Sequence, residues 1–145
     1  MAIYILVDST TGEVYSSLQM DAGDSAAVLA ANPGTILVSS ATVIDDSLYL
    51  YDLIGLTFVL KDDLTDVATW DSLTLDADAT DAVTLGSGLP NPTIVSVTPV
   101  RAFANPAYVV VTTGSFVFKT DAVGLYSITA RAFPYNEYTV TVEAV

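Results

Sequence analysis

Asp121-Ala122-Val123-Gly124-Leu125-Tyr126-Ser127-Ile128-Thr129-Ala130-Arg131, followed after a turn by Tyr138-Thr139-Val140-Thr141-Val142-Glu143, is the stretch that decides the fold. Both runs alternate apolar and polar residues with the two-residue period of a strand that has one buried and one wet face. Tyr126, Ile128 and Ala130, then Val140 and Val142, are expected inside. Ser127, Thr129, Arg131, Thr139, Thr141 and Glu143 are expected to meet water. A Tyr placed two residues past a Gly, just after a turn, can swing its ring beneath the corner and hydrogen-bond upstream backbone. Asp121, Gly124 and Tyr126 are accordingly predicted to form a structural corner at the head of a strand.

Working outward from that end, five more extended segments precede these two: Ser72 to Ala77, Ala82 to Leu85, Thr93 to Val97, Ala107 to Val111 and Ser115 to Lys119. With Leu125 to Ala132 and Glu137 to Glu143 they make seven short strands, the count and spacing of a sandwich. Between them lie Gly86-Ser87-Gly88-Leu89-Pro90-Asn91-Pro92, Asn105-Pro106, Thr113-Gly114 and Phe133-Pro134-Tyr135-Asn136, all of them turn chemistry. Phe116 and Phe118, two apart, can join the core. No segment in this half has helical spacing, so residues 72–145 read as one all-β unit.

The first half is different. Ile3 to Asp8 and Glu13 to Leu18 read as a hairpin around Ser9-Thr10-Thr11-Gly12. Asp24 or Ser25 can cap a short helix, Ala26-Ala27-Val28-Leu29-Ala30-Ala31, which Asn32-Pro33-Gly34 must end. Thr35 to Ser39 is a third strand, and Val43 to Tyr51 with Leu56 to Lys61 form a second hairpin around Leu53-Ile54-Gly55. On that hairpin Leu48 and Leu50, with Leu56, Phe58 and Leu60, are assigned one face, and Tyr49 and Tyr51 the other. The polar run from Asp62 to Trp70 reads as a connector, with Trp70 packing between the units. Residues 1–71 are thus expected to be a small strand-rich α+β domain with one short helix, and the whole chain mainly β.

Composition removes function classes. With no Cys and no His among 145 residues, thiol nucleophiles, Ser-His-Asp triads, thiolate or imidazole metal sites and disulfide staples are excluded. Seventeen acidic residues against four basic ones give a net charge of −13, which repels phosphate backbones and anionic membranes alike. Neither nucleic acid nor a membrane is therefore an expected partner. Eleven of the seventeen acids, with one Lys, lie in Met1 to Asp71, and six, with three basic residues, lie beyond it. That asymmetry supports two units with different surfaces. No apolar block is long enough for a helical span, and Ile3 to Val7 lacks the basic flank and length of a signal segment. Synthesis without export is expected, either as a cytoplasmic protein or as part of a larger particle assembled there.

Asp76, Asp78 and Asp81 bunch three carboxylates, the raw material of a Ca²⁺ site, but they lack the Gly and distal Glu of an EF-hand loop. An ordinary solvated strand end is the plainer reading. Glu137 and Glu143 fall roughly 20 Å apart along one strand, too far for either glycosidase geometry. No catalytic residue, metal ligand or cofactor is predicted. Tyr49, Tyr51, Trp70, Tyr135 and Tyr138 remain as candidates for contact with a partner, because aromatic residues are enriched at interfaces.

One further reading rests on likeness. Ala77 to Leu85, Gly88-Leu89-Pro90-Asn91-Pro92-Thr93, Thr113 to Asp121, Gly124-Leu125-Tyr126 and Ala132-Phe133-Pro134-Tyr135 together resemble the immunoglobulin-like domains that recur in structural proteins of tailed bacteriophages. The resemblance covers about half the chain. Gly12-Glu13-Val14, the Ala-rich helix and Gly34-Thr35-Ile36-Leu37-Val38 are similar, more faintly, to the small domain that precedes such modules. The family implies a C-terminal immunoglobulin-like β-sandwich and a non-enzymatic structural role in a double-stranded DNA phage virion. A capsid decoration or cement protein is the leading form. It would bind the major capsid protein or other virion proteins, as a homo-oligomer or in a symmetric array. A neck, tail or head-fibre component, a glycan-binding adhesion module and an assembly chaperone are the alternatives.

Overall fold

A hairpin opens the chain because two extended runs flank a turn that only Gly can close. The computed structural model describes Met1–Val145 and divides it into two compact units, Met1–Lys61 and Asp62–Val145. In the first, β1 (Ala2–Asp8) pairs antiparallel with β2 (Val14–Met20), and a bulge between Leu6 and Val7 shifts their register. Gly12 sits at φ +78, and a Cβ there would lie 2.1 Å from the Tyr51 carbonyl oxygen. The close approach is bonded, since the Tyr51 N–H donates to the Gly12 carbonyl at 2.8 Å.

A 3₁₀ turn, Ala22–Asp24, runs into helix α1 (Ser25–Ala31), and Gly34 at φ +82 turns the chain into β3 (Thr35–Ser40). This strand pairs antiparallel with the other side of β1, giving the order β2-β1-β3. β4 (Tyr49–Asp52) and β5 (Thr57–Leu60) form a separate hairpin. Ile5, Val7, Val14 and Tyr51 make the buried core of this unit, with Phe58, Ile36 and Val38 packed against it.

On the second hairpin Tyr49 and Tyr51 do lie on the face opposite to Leu50, but Phe58 and Leu60, expected on the Leu50 face, share the face of the two Tyr residues. Asp52 pairs with Thr57, so Tyr51 stands directly across from Phe58 and both rings lie on one face, 5.0 Å apart. Tyr51 is 7% exposed, whereas Leu48, Leu56 and Leu60 face solvent. The four-residue Leu53–Leu56 loop decides this, because pairing register determines which side every residue meets.

In the second unit the seven expected strands are present as β7 (Thr74–Leu75), β8 (Val83–Ser87), β9 (Thr93–Pro99), β10 (Ala107–Val111), β11 (Phe116–Phe118), β12 (Gly124–Arg131) and β13 (Tyr138–Ala144). An eighth, β6 (Ala68–Trp70), comes from the segment read as a connector. The division between units therefore falls at Lys61/Asp62 and not at Asp71. Three Asp residues make that segment look like a linker, yet it carries a 3₁₀ turn whose Leu64 is 1% exposed, and Ala68 is buried as well.

β10-β9-β12-β13-β7 form a five-stranded sheet, antiparallel except for β7 beside β13, and β11-β8-β6 form a three-stranded one. Val95, Ile128, Ala130 and Val142 from the larger sheet and Val83, Leu85, Phe116 and Phe118 from the smaller belong to a single buried cluster, so the sheets enclose one core. The expected alternation holds along β12 and β13, with Tyr126, Ile128, Ala130 and Val142 buried and Arg131, Thr139, Thr141 and Glu143 exposed. Strands hold 49% of the residues and helices 9%, which makes the chain mainly β. No helix is long and apolar enough to cross a membrane.

Replacing Gly12 by Ala is expected to destabilise the first unit by at least about 1–2 kcal/mol from the left-handed backbone alone, with the Tyr51 carbonyl clash added. Chemical denaturation of the two proteins measures the difference; equal midpoints would show that the turn does not need Gly.

Candidate functional site

The corner residues come together as predicted in kind, with different partners in detail. Tyr126, the third residue of β12, sets its ring against Phe118, centroids 5.0 Å apart. Its hydroxyl donates to the Ala122 carbonyl at 2.8 Å and shares a hydrogen bond with Thr120 Oγ1 at 3.1 Å. Gly124 takes φ +148 between them. Asp121 is exposed, and Thr120 Oγ1 also accepts the Ala122 N–H. The role is structural.

The aromatic contact set is divided between the two units. Tyr51 is in the core of the first unit, and Tyr49 is half-buried on the same hairpin. Trp70, expected at the junction, stands edge-on to Phe116, with centroids 6.2 Å apart and planes at 89°. Tyr135 and Tyr138 are half-buried against the same core cluster. Tyr51 is thus buried, and Tyr49, Trp70, Tyr135 and Tyr138 keep part of their surface accessible.

The acidic clusters are also occupied by local structure. Asp78 Oδ1 accepts the N–H groups of Thr80 and Asp81, and Asp81 Oδ2 accepts that of Asp76. Elsewhere, Asp8 Oδ1 accepts Thr10 and Thr11 N–H while Tyr15 donates its hydroxyl to Oδ2. Asp45 takes the Ser47 N–H and hydroxyl, and Asp52 takes the Ile54 N–H. Hydrogen bonds to the ionised form hold all four of Asp8, Asp45, Asp52 and Asp78 below the usual carboxylate range, Asp8 at about 2. No three acidic side chains converge as a metal site would require. Glu137 pairs with Arg131, so it and Glu143 are no catalytic couple.

Three grooves indent the surface. One of about 560 Å³ runs between α1 and the sheet; it is mainly apolar, lined by Leu6, Leu18, Ala27 and Val28, with Ser16, Asp24 and Asn32 as its polar side chains. A smaller one, about 210 Å³, lies beside the corner between Val100, Arg101, Val123 and Leu125. The third, about 410 Å³, is open and lined by Trp70, Asp71, Thr84 and Ser115. None brings together an acid, a base and a nucleophile.

Sequence reasoning missed the exposure of β10, where Tyr108 is 68% and Val110 63% accessible. Its signal was present: five uncharged, mostly β-branched residues that read equally well as a core strand.

Tyr126→Phe, which keeps the ring and removes the hydroxyl, should cost roughly 1 kcal/mol and lower Tm by about 4–8 °C for a domain of this size. An unchanged melt would mean the corner hydrogen bonds are dispensable. Asp8 has a folded pKa of about 2 against an ordinary 3.8, so its contribution is complete above the ordinary value and disappears as pH falls through about 2. The Tm difference between wild type and Asp8→Ala is therefore expected at pH 7 and should shrink between pH 4 and pH 2; a difference constant across that window would contradict it. Compared with known proteins, the chain matches no family model, and neither a curated protein nor a solved structure resembles it significantly.

Proposed function

We propose that this chain is a non-enzymatic structural protein of a tailed double-stranded DNA phage virion, of the capsid decoration or cement type, and that its C-terminal unit is an immunoglobulin-like sandwich. The observation that carries the reading is the strand order. A first strand split in two, β6 in the smaller sheet and β7 parallel to the last strand β13 in the larger, is how an immunoglobulin-like domain closes its core. β8 and β11 then take the places of strands B and E, β9, β12 and β13 those of C, F and G, and β10 extends the C edge. In this correspondence Tyr126 sits at the start of strand F, where such domains carry their tyrosine corner.

Fold alone does not specify a role, so the virion assignment leans on the likeness of the turns and core positions to phage modules. Two features support it. Asp8, Asp45, Asp52, Asp78 and Asp81 are engaged in turns and Glu137 in an ion pair. The strong net negative charge suits a surface that must stay soluble when displayed in many copies. The partners are then the major capsid protein or other virion proteins, and the location is the particle, following synthesis in the host cytoplasm.

Quantitative mass spectrometry of purified parent particles tests this. A copy number in proportion to the major capsid protein is expected. A low fixed number would move the protein to the neck, tail or head fibre, and its absence from particles would overturn the virion reading.

A further inference from the structure

β10 is the edge of the larger sheet and pairs on one side only, with β9, in an unbroken register from Ala107↔Val97 to Val111↔Thr93. Its other side presents backbone N–H and C=O groups with no strand beside them. Natural edges are usually blunted by brevity, charge, proline or a bulge. The remaining edges of this sandwich are short, two residues in β7 and three each in β6 and β11. β10 has five residues, Ala-Tyr-Val-Val-Val, and none of those devices. Both of its faces are apolar and accessible: Tyr108 and Val110 on one, and Val109, 44% exposed, on the other.

Charge then narrows what can sit there. The chain carries −13, yet from Ala82 to Thr120, the span that contains β8, β9, β10 and β11, there is no Asp or Glu, only Arg101 and Lys119. A second copy approaching over the chain outside that span meets acid with acid. At β10 it meets an uncharged strand.

We propose that β10 is a self-pairing strand: two copies of this chain join edge to edge through antiparallel pairing of Ala107–Val111 about a two-fold axis at Val109, so that the five-stranded sheets become continuous. The segment is complementary to itself in that register. Tyr108 lies opposite Val110 of the partner subunit, an aromatic–β-branched pair of the kind that stabilises sheets, and it does so twice because the contact is isologous. Ala107 falls opposite Val111 of the partner subunit. Whichever residues of β10 direct their backbone groups outward, a two-fold axis through one residue yields an antiparallel ladder. This inference does not rest on the virion reading; it concerns the free protein.

The absence of Cys makes the register directly testable on the full chain. Directly opposed residues of an antiparallel pair have Cα atoms about 4.5–5.5 Å apart, inside the roughly 4.4–6.8 Å range of a disulfide. Val109→Cys should therefore give a disulfide-linked dimer on mild oxidation, read on a non-reducing gel. Val117→Cys, on β11 and 54% exposed, serves as the control and should stay monomeric. A Val109→Cys protein that remains monomeric, or that crosslinks no faster than the Val117→Cys control, overturns the proposal and leaves the edge to a strand from a different protein. Sedimentation of the unmodified chain gives an independent reading. A discrete dimer that Val109→Lys converts to monomer, with an unchanged thermal melt, is expected. A wild-type monomer, or open-ended assemblies larger than a dimer, would refute the two-fold arrangement.

Discussion

The Tyr126 ring is needed in the core beside Phe118, and a phenol buried there must find its hydroxyl a partner. Thr120 and the Ala122 carbonyl supply it, and by doing so they bend the preceding segment back over the ring. That bend determines where β12 begins. β12 is flanked on both sides, by β9 and β13, so its starting point sets the register of strands extending from β10 to β7. One hydrogen-bonded ring therefore locates a whole sheet, and the alternation that follows it, Ile128 and Ala130 inward with Arg131 outward, is in phase because Tyr126 is in.

Acidity in this protein is partly turn chemistry. An Asp whose carboxylate accepts N–H groups two and three residues ahead gives the backbone a local alternative to regular structure. Asp8 does so before Gly12, Asp52 in the loop that holds Leu56 at φ +54, and Asp78 before Ala79 at φ +62. Tight turns with positive φ at non-Gly residues are costly, and the ionised Asp beside each helps to hold it. Some of the negative charge therefore maintains loop shape, and the rest keeps the surface wet.

How much of this was legible follows from which physical signal each element sent. β12 and β13 were readable because one face is buried and one wet, which writes a period of two into the sequence. The N-terminal hairpin and α1 were readable from Thr-Gly and Asn-Pro-Gly punctuation. The β4–β5 hairpin was located but its second strand was put out of phase with its first, since both strands are apolar enough for either face and only the loop length, not the composition, distinguishes the two registers. β6 was lost because Asp62, Asp63 and Asp66 dominate the local composition while only Leu64 and Ala68 report burial. For the candidate site, the corner Tyr and its bond to upstream backbone were visible, whereas the part of Thr120 was not. In units this small the large side chains are needed to fill the interior, and Tyr51, Trp70, Tyr135 and Tyr138 each pack on the core of their own unit.

A sandwich of five strands facing three is unequal in width, and this has a consequence for its margin. Strands in the middle of the larger sheet are covered by the smaller one, and Val95 and Ile128 are almost wholly buried as a result. An outer strand reaches past that cover, so its inward side chains stay wet unless something else meets them; Val109 is such a residue, directly across from Val95. At the other margin the problem is avoided by brevity, since β7 has only two residues and ends with Leu75 buried. At β10 it is not avoided, and no charge is placed there to discourage approach. A strongly acidic chain that keeps one long uncharged edge opposes approach over its acidic stretches and leaves that strand open, which is the arrangement that favours a specific contact there.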